Sequence, residues 1–147
     1  MKILLAYDGF EHSRPALEEA AELAAEGHSE VTVLSVVPEN DARASKSGGH
    51  RFLAPHAHQD VAVAHERLRE RGIESELEIA YGKPVEEIVR AAEEGSYDVL
   101  VVGSRGLGPV GQLLLGSVSE QLVRKAQCPV LVAGEETTER HEPVGVG

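Results

Sequence analysis

The chain has 147 residues and a formal net charge of −11, with 41% hydrophobic and 27% charged residues. That length suits one soluble domain with a sizeable core, and the acidic balance disfavours binding to nucleic acid or anionic membranes. No apolar run approaches the roughly 20 residues of a membrane span, and the N-terminus MKILLAYDG lacks secretion-signal features, so we expect a cytoplasmic protein.

Strand-like and helix-like segments alternate along the chain. The predicted strands are residues 2–7, 31–37, 74–81, 98–102 and 129–133. Helical spacing of apolar residues predicts helices over 14–26, 56–71 and 84–94, and a further helix from Ser117 onwards. Residues 1–133 are therefore predicted to form one domain, in which 38–55 is a flexible loop, and 134–147 to form a disordered tail.

Strands separated by single helices predict an α/β fold of the doubly wound, Rossmann-like type. We expect a five-stranded parallel sheet in the order 3-2-1-4-5, with helices on both faces. The alternating third strand and the fifth strand, which begins with Pro129, suit the two edges. This order reverses between strands 1 and 4, which opens a crevice at their carboxyl ends, beside Asp8 and Gly103.

Five glycines crowd into GSRGLGPVGQLLLGS, residues 103–117. Gly103 and Gly106 are expected to adopt positive φ and expose backbone amides, and Gly116 precedes a helix N-terminus that favours an anion. Arg105 either meets a phosphate or faces solvent. Ser117 either donates to a phosphate or caps the helix, because Ser-Val-Ser-Glu has the form of a capping box. A flexible lid is the alternative to a phosphate loop, and no Gly-Lys-Ser/Thr ending of a Walker loop is present.

The stretch GSRGLGPVGQLLLGSVSEQLVRKAQCPVLVA resembles the C-terminal signature of the universal stress protein family. Its Gly-x2-Gly-x9-Gly-Ser spacing is similar to that of the ATP-binding branch. ILLAYDGFEHSRPAL and YGKPVEEIVRAAEEGSYDVLVVG resemble earlier parts of the family, so the similarity covers residues 1–133. The resemblance implies the sheet order given above, a homodimer and bound ATP.

The resemblance also implies roles for particular residues. It implies a phosphate and ribose cradle formed by Gly103, Gly106, Gly116 and Ser117, with the backbone of Val118 helping to hold phosphate. It places Asp8 near the nucleoside, and Val36 or Val37 against adenine. Asp8 can instead form a strand-end Asx turn, and buried strand valines are usually core residues.

ATP normally arrives with Mg²⁺, which Asp8 or Ser117 can reach directly or through water. Catalysis has little support, because no Ser/His/Asp set and no pair of cations flanks the expected γ-phosphate. A regulatory switch with slow or no hydrolysis is therefore favoured. The alternatives are an adenylyl- or phosphoryl-transfer enzyme of the adenine nucleotide α-hydrolase-like superfamily, and a nucleotide-free scaffold for an unknown protein partner.

The fifth strand also predicts self-association. Val130, Leu131 and Val132 are apolar on both faces of a strand expected at an open edge, which soluble proteins rarely leave bare. A second copy can pair antiparallel along it, giving a homodimer through residues 129–133. Elsewhere, His56 and His58 match no standard zinc spacing, so no metal site is expected there.

Overall fold

The computed structural model describes residues 1–8, 13–38, 50–104, 106–107, 113–135 and 137–143, with the backbone alone for 50–56, 106–107 and 113–114. The strands are β1 Lys2–Ala6, β2 Glu30–Pro38, β3 Ser75–Gly82, β4 Val99–Gly103, β5 Gly106–Leu107, β6 Leu113–Leu114, β7 Val130–Ala133 and β8 Thr138–His141. The helices are α1 Arg14–Ala25, α2 His50–Glu70, α3 Pro84–Glu94 and α4 Ser117–Lys125.

Six strands form the main sheet, in the order β3-β2-β1-β4-β7-β8. The first five are parallel to one another, which confirms the predicted α/β fold and the order 3-2-1-4-5. Strand β1 lies at the centre, with Leu5 paired to Val33 of β2 on one side and to Val101 of β4 on the other. The short strands β5 and β6 form a separate antiparallel pair.

Alternate side chains of the sheet build two cores, one on each face. Ile3 and Leu5 pack in one cluster with Leu17 of α1 and Leu68 of α2. On the opposite face, a second cluster joins Leu4, Leu34 and Leu100 to Ile88 of α3 and Leu122 of α4. Fully burying each such side chain contributes about 1.5–3 kcal/mol, so both layers of helices are held by the sheet. No helix within the described ranges is long and apolar enough to cross a membrane.

Helix α2 ends where the sequence predicts but begins earlier. Gly72 has φ +80°, and the N–H of Ile73 donates to the carbonyl of Leu68 at 2.9 Å, so glycine closes the helix. The helix starts at His50, which makes the prediction of a loop wrong for residues 50–55. Pro55 removes a helical hydrogen bond near the start without ending the helix. Residues 39–49 of the predicted loop lie outside the described residues.

The tail contains an unexpected strand. Residues Thr138–His141 form β8, which pairs antiparallel with β7, so the prediction of a disordered tail is wrong there. The sequence Thr-Glu-Arg-His has no apolar alternation, and none is needed, because ladder hydrogen bonds can hold an edge strand whose side chains are partly solvated. Because β8 covers β7, the prediction of an open edge at residues 129–133 is also wrong. The homodimer through residues 129–133 itself stays a prediction.

Candidate functional site

The strand order reverses between β1 and β4, as the sequence predicts. After β1 the chain enters α1, whose buried residues belong to one core, and after β4 it leads to α4, whose Leu122 belongs to the other. The connections from these neighbouring strands therefore lie on opposite faces of the sheet. That is the switch point at which open α/β sheets bind ligands.

The N-terminus of α4 presents backbone donors at this end of the sheet. Its N-cap is Gly116, with φ −76° and ψ 173°, and no side chain caps the helix. The first helical hydrogen bond runs from the N–H of Glu120 to the carbonyl of Gly116, at 2.9 Å. The N–H groups of Ser117, Val118 and Ser119 consequently have no acceptor within the helix. Together with the helix dipole they favour an anion.

The capping-box interpretation of Ser117 is wrong. Ser117 is the first helical residue and not the cap, because the preceding glycine takes the extended N-cap conformation. Its side chain is exposed. Glu120 does not close a box but pairs with Arg124 at 3.0 Å, and the buried Ser119 donates its hydroxyl to the carbonyl of Gly116 at 3.2 Å. The Ser117 hydroxyl therefore does not cap the helix, and its donation to a phosphate stays a prediction.

Nothing among the described residues requires position 116 to be glycine. A Cβ at this position would have Ser119 Oγ as its nearest described neighbour, at 3.9 Å, and the φ is one that any residue adopts. Other glycines differ: Gly72 has positive φ, and a Cβ on Gly95 would overlap the Tyr97 ring. The missing side chain of Gly116 thus leaves space beside the start of α4 as far as the described residues are concerned.

At the N-terminal end of the glycine segment, Gly103 and Gly106 lie in β-strands and not in an irregular loop. Gly103 is the last residue of β4 and pairs with Ala133, so the prediction of positive φ is wrong for it. Gly106 lies in β5 and pairs antiparallel with Leu114 of β6. This pairing folds the segment back on itself and returns the chain to the start of α4. Arg105 lies outside the described residues.

The two valines predicted to contact adenine, Val36 and Val37, differ in their position relative to Asp8 and in their burial. Ala6 pairs with Leu34, and the N–H of Tyr7 donates to the carbonyl of Leu34 at 2.9 Å, so the same register places Asp8 level with Val36. Val36 is half-buried and packs against the core on the α3 and α4 side, whereas Val37 is only 5% exposed. Val37 is therefore a core residue, and Val36 stays a predicted contact together with the exposed Asp8.

Further residues at this end of the sheet were not predicted from the sequence. Ser104, directly after β4, is buried and polar, and Ser13 is equally buried just before α1. A serine at a strand end beside a glycine is the sequence signal that could have indicated Ser104. Burial raises the pKa of Tyr7, and of the charges around its ring Arg67 lowers that pKa most, while Asp60 and Asp8 raise it. Arg14 is an exposed cation at the first position of α1.

The fold and the site thus define a doubly wound α/β protein with an uncapped helix N-terminus at its switch point. Residues 1–134 match the universal stress protein family, and the chain belongs to that family. The universal stress protein YxiE of Bacillus subtilis is 32% identical over 143 residues, a match that covers 89% of this chain and 97% of that protein. A universal stress protein of Thermus aquaticus is 36% identical over 132 residues, with 88% and 96% covered.

Solved structures show the same fold. The protein MJ0577 of Methanocaldococcus jannaschii superimposes with a TM-score of 0.77 at 29% identity, covering 92% of this chain and 96% of its own. The universal stress protein of Archaeoglobus fulgidus, solved in complex with dAMP, superimposes with a TM-score of 0.70 at 25% identity, with 90% and 97% covered. A relative of this chain therefore binds an adenine nucleotide.

Proposed function

We propose that the chain is a cytoplasmic stress-response regulator that binds ATP with Mg²⁺ in the crevice and acts as a nucleotide-dependent switch. The observation that carries the proposal is the N-terminus of α4, where three backbone N–H groups have no acceptor within the helix and the N-cap residue Gly116 carries no side chain. In this arrangement the phosphates accept hydrogen bonds from the backbone N–H groups of Ser117, Val118 and Ser119, and the exposed hydroxyl of Ser117 donates one more.

The nucleoside is proposed to lie toward β1 and β2. Adenine would rest on the half-buried Val36, and Asp8, which is level with it, would contact the nucleoside. The binding of dAMP by the Archaeoglobus fulgidus protein supports an adenine nucleotide as the class of ligand. ATP in particular is favoured by the length of the glycine segment, whose Gly103, Arg105 and Gly106 would complete the cradle around a phosphate chain.

Magnesium is proposed to enter with the nucleotide. A net charge of −11 repels a free tetra-anion, so a cation on the phosphates and the local backbone dipoles must provide the attraction. Within the described residues, no three His, Cys, Asp or Glu side chains are grouped closely enough to hold a metal ion. The phosphates would therefore supply most of the ligands, with Asp8 or Ser117 reaching the ion directly or through water.

Hydrolysis is proposed to be slow or absent. Phosphoryl transfer depends on positioned cations and a group that orients the nucleophile. Arg14, at the start of α1, is one exposed cation that the structure adds to the sequence-based candidates, and a single cation does not meet both requirements. A steady-state assay of ATP turnover by the purified protein distinguishes the switch from the transfer enzyme. Rapid turnover without a partner would favour the transfer enzyme.

The direct experiment is to denature freshly purified protein and identify any released nucleotide by chromatography. Calorimetry with ATP, ADP and AMP, each with and without Mg²⁺, then measures the contribution of each phosphate. We expect affinity to rise from AMP to ATP, because the α4 N-terminus contacts phosphate. Equal affinity for all three would contradict the phosphate cradle, and no binding at all would favour the nucleotide-free scaffold.

A further inference from the structure

Strand β3 forms the edge of the main sheet that lies farthest from the tail. It stands first in the order β3-β2-β1-β4-β7-β8, and its eight residues, Ser75–Gly82, pair in parallel with β2 along their whole length. Among the described residues, no strand lies on its outer side. A long edge of this kind presents a row of backbone N–H and C=O groups to which an extended peptide can add.

The backbone groups of β3 that face outward follow from the register. The carbonyl of Leu34 accepts from the N–H of Tyr7 at 2.9 Å, so Leu34 faces β1 and the next residue back, Val33, faces β3. Val33 is paired with Leu77, and a residue that faces a parallel neighbour bonds to the residues on either side of its paired one. The residues flanking Leu77 therefore turn their backbone groups toward β2. The residues whose backbone groups point outward are Ser75, Leu77, Ile79 and Tyr81.

The two faces of β3 differ in chemistry. Ile79 packs against the core on the α1 and α2 side, so side chains with odd numbers lie on that face and those with even numbers on the other. On the first face, Leu77 and Tyr81 are 41% and 55% exposed. On the second face, Glu76 and Glu78 are exposed. A strand added to this edge would thus meet apolar side chains on one face and carboxylates on the other.

The acidic face of β3 borders a groove of about 350 Å³, which is lined by residues of β2, β3 and α3 and by the ring of Tyr97. The charged residues that line it are Glu78, Glu87, Arg90 and Glu94. Arg90 pairs with Glu87 at 3.0 Å, so the carboxylates of Glu78 and Glu94 leave the groove with a net negative charge. Long cationic side chains match this groove, because they combine an apolar stem with a charged end.

A second copy of β3 does not match this edge. Antiparallel pairing of two β3 strands about a two-fold axis through Leu77 would place Glu76 of each copy opposite Glu78 of the other. Like charges directly opposite each other destabilise a strand pair, and the net charge of −11 adds to the repulsion between copies. A strand with cations at those positions would instead be attracted.

We propose that the outer edge of β3 binds an extended segment of another protein in which basic and apolar residues alternate. The backbone of that segment pairs with Leu77 and Ile79. Its apolar side chains cover Leu77 and Tyr81, and its arginine or lysine side chains lie beside Glu76 and Glu78 along the groove. This binding mode uses no residue of the crevice, so it goes beyond the proposed nucleotide switch and does not depend on it.

Fluorescence anisotropy tests the backbone pairing with a fluorescein-labelled peptide of alternating arginine and valine residues, as long as β3. Leu77→Pro and Leu77→Ala form a matched pair. Both remove the leucine side chain, but only proline removes the outward N–H, and that N–H takes no part in the ladder with β2. Leu77→Pro should bind the peptide roughly two- to tenfold more weakly than Leu77→Ala, because one backbone hydrogen bond is lost.

The charge on the acidic face is tested by a second matched pair. Glu78→Lys and Glu22→Lys change the net charge equally, but Glu22 is an exposed residue of α1, which packs on the opposite face of the sheet. Glu78→Lys should weaken peptide binding roughly five- to tenfold, and Glu22→Lys by less than about twofold. A peptide of alternating glutamate and valine should not bind the wild-type chain.

Failure of the wild-type chain to bind the arginine–valine peptide would overturn the proposal. So would equal affinities within either matched pair, because the proposal requires both the outward N–H and the local charge. Light scattering examines the other occupant: a lower mass for Leu77→Pro than for Leu77→Ala would show that a second copy pairs with β3, against the proposal. If circular dichroism shows that Leu77→Pro does not fold, the two lysine variants decide.

Discussion

Replacing Gly116 by valine should separate nucleotide affinity from stability. The added Cβ would lie 3.9 Å from Ser119 Oγ and meet no other atom of the described residues within 4 Å, so we expect the folded chain to accommodate it. The two methyl groups of valine would instead occupy the space in front of the N–H groups of Ser117 and Val118, where we propose that phosphate lies.

The expected magnitude follows from the hydrogen bonds that would be lost. A bond to a charged group contributes about 1.5–3 kcal/mol, so losing two of them weakens ATP binding by roughly 3–6 kcal/mol, more than a hundredfold. Stability should change by less than about 1 kcal/mol, because the smaller entropy of the unfolded chain favours the variant while valine is a poorer N-cap residue than glycine.

Calorimetry with ATP and Mg²⁺, combined with urea unfolding of the nucleotide-free protein, measures both quantities. The matched control is Gly27→Val, since Gly27 is exposed and a Cβ added to it would meet no atom within 4 Å in the part of the chain that the structure describes. Gly27 follows the C-terminus of α1, at the opposite end of that helix from the crevice. The control should bind ATP normally. Unchanged affinity in Gly116→Val would refute the reasoning, and so would a loss of affinity that accompanies an equal loss of stability.

Three other results are expected. Ser117→Ala should weaken ATP binding about tenfold in calorimetry without lowering the urea midpoint, because its hydroxyl caps nothing; a lower midpoint would contradict this. Gly95→Ala should lower the free energy of unfolding by about 1–3 kcal/mol, because its Cβ would overlap the Tyr97 ring; unchanged unfolding in urea would count against that packing. Burial raises the pKa of both Tyr7 and Tyr97 above 10.0, the value expected in the unfolded chain. The contribution of the two neutral phenols to the free energy of unfolding should therefore be full below pH 10.0 and be lost as the pH rises through their pKa values in the folded state. Urea midpoints that stay constant from about pH 9 to about pH 11 would contradict the burial of these phenols.

The five parallel strands could be predicted because their apolar runs are bounded by helices with clear periodicity. Strand β8 could not, because Thr-Glu-Arg-His carries no apolar pattern and pairs through backbone groups that every residue has. The absence of an apolar pattern in β8 also explains why residues 129–133 were wrongly predicted to form an open edge of the sheet. Sequence alone shows that β7 needs a partner strand, but not that the tail provides one.

The sequence predicts where in the sheet the candidate site lies, but not the conformation or burial of its individual residues. The glycine spacing pointed to the crevice, yet the choice of Gly116 over Ser117 as N-cap depends on backbone geometry that Ser-Val-Ser-Glu does not determine. Val36 and Val37 look alike in sequence, and only the register of β2 against β1 shows which of them is core.

Amide chemical shifts measured by NMR during a titration with ATP and Mg²⁺ test the central claim most directly. The account predicts that the backbone N–H resonances of Ser117, Val118 and Ser119 shift most strongly, and that AMP moves them less. Saturating ATP that leaves these three resonances in place would contradict the proposal that the α4 N-terminus holds the phosphates.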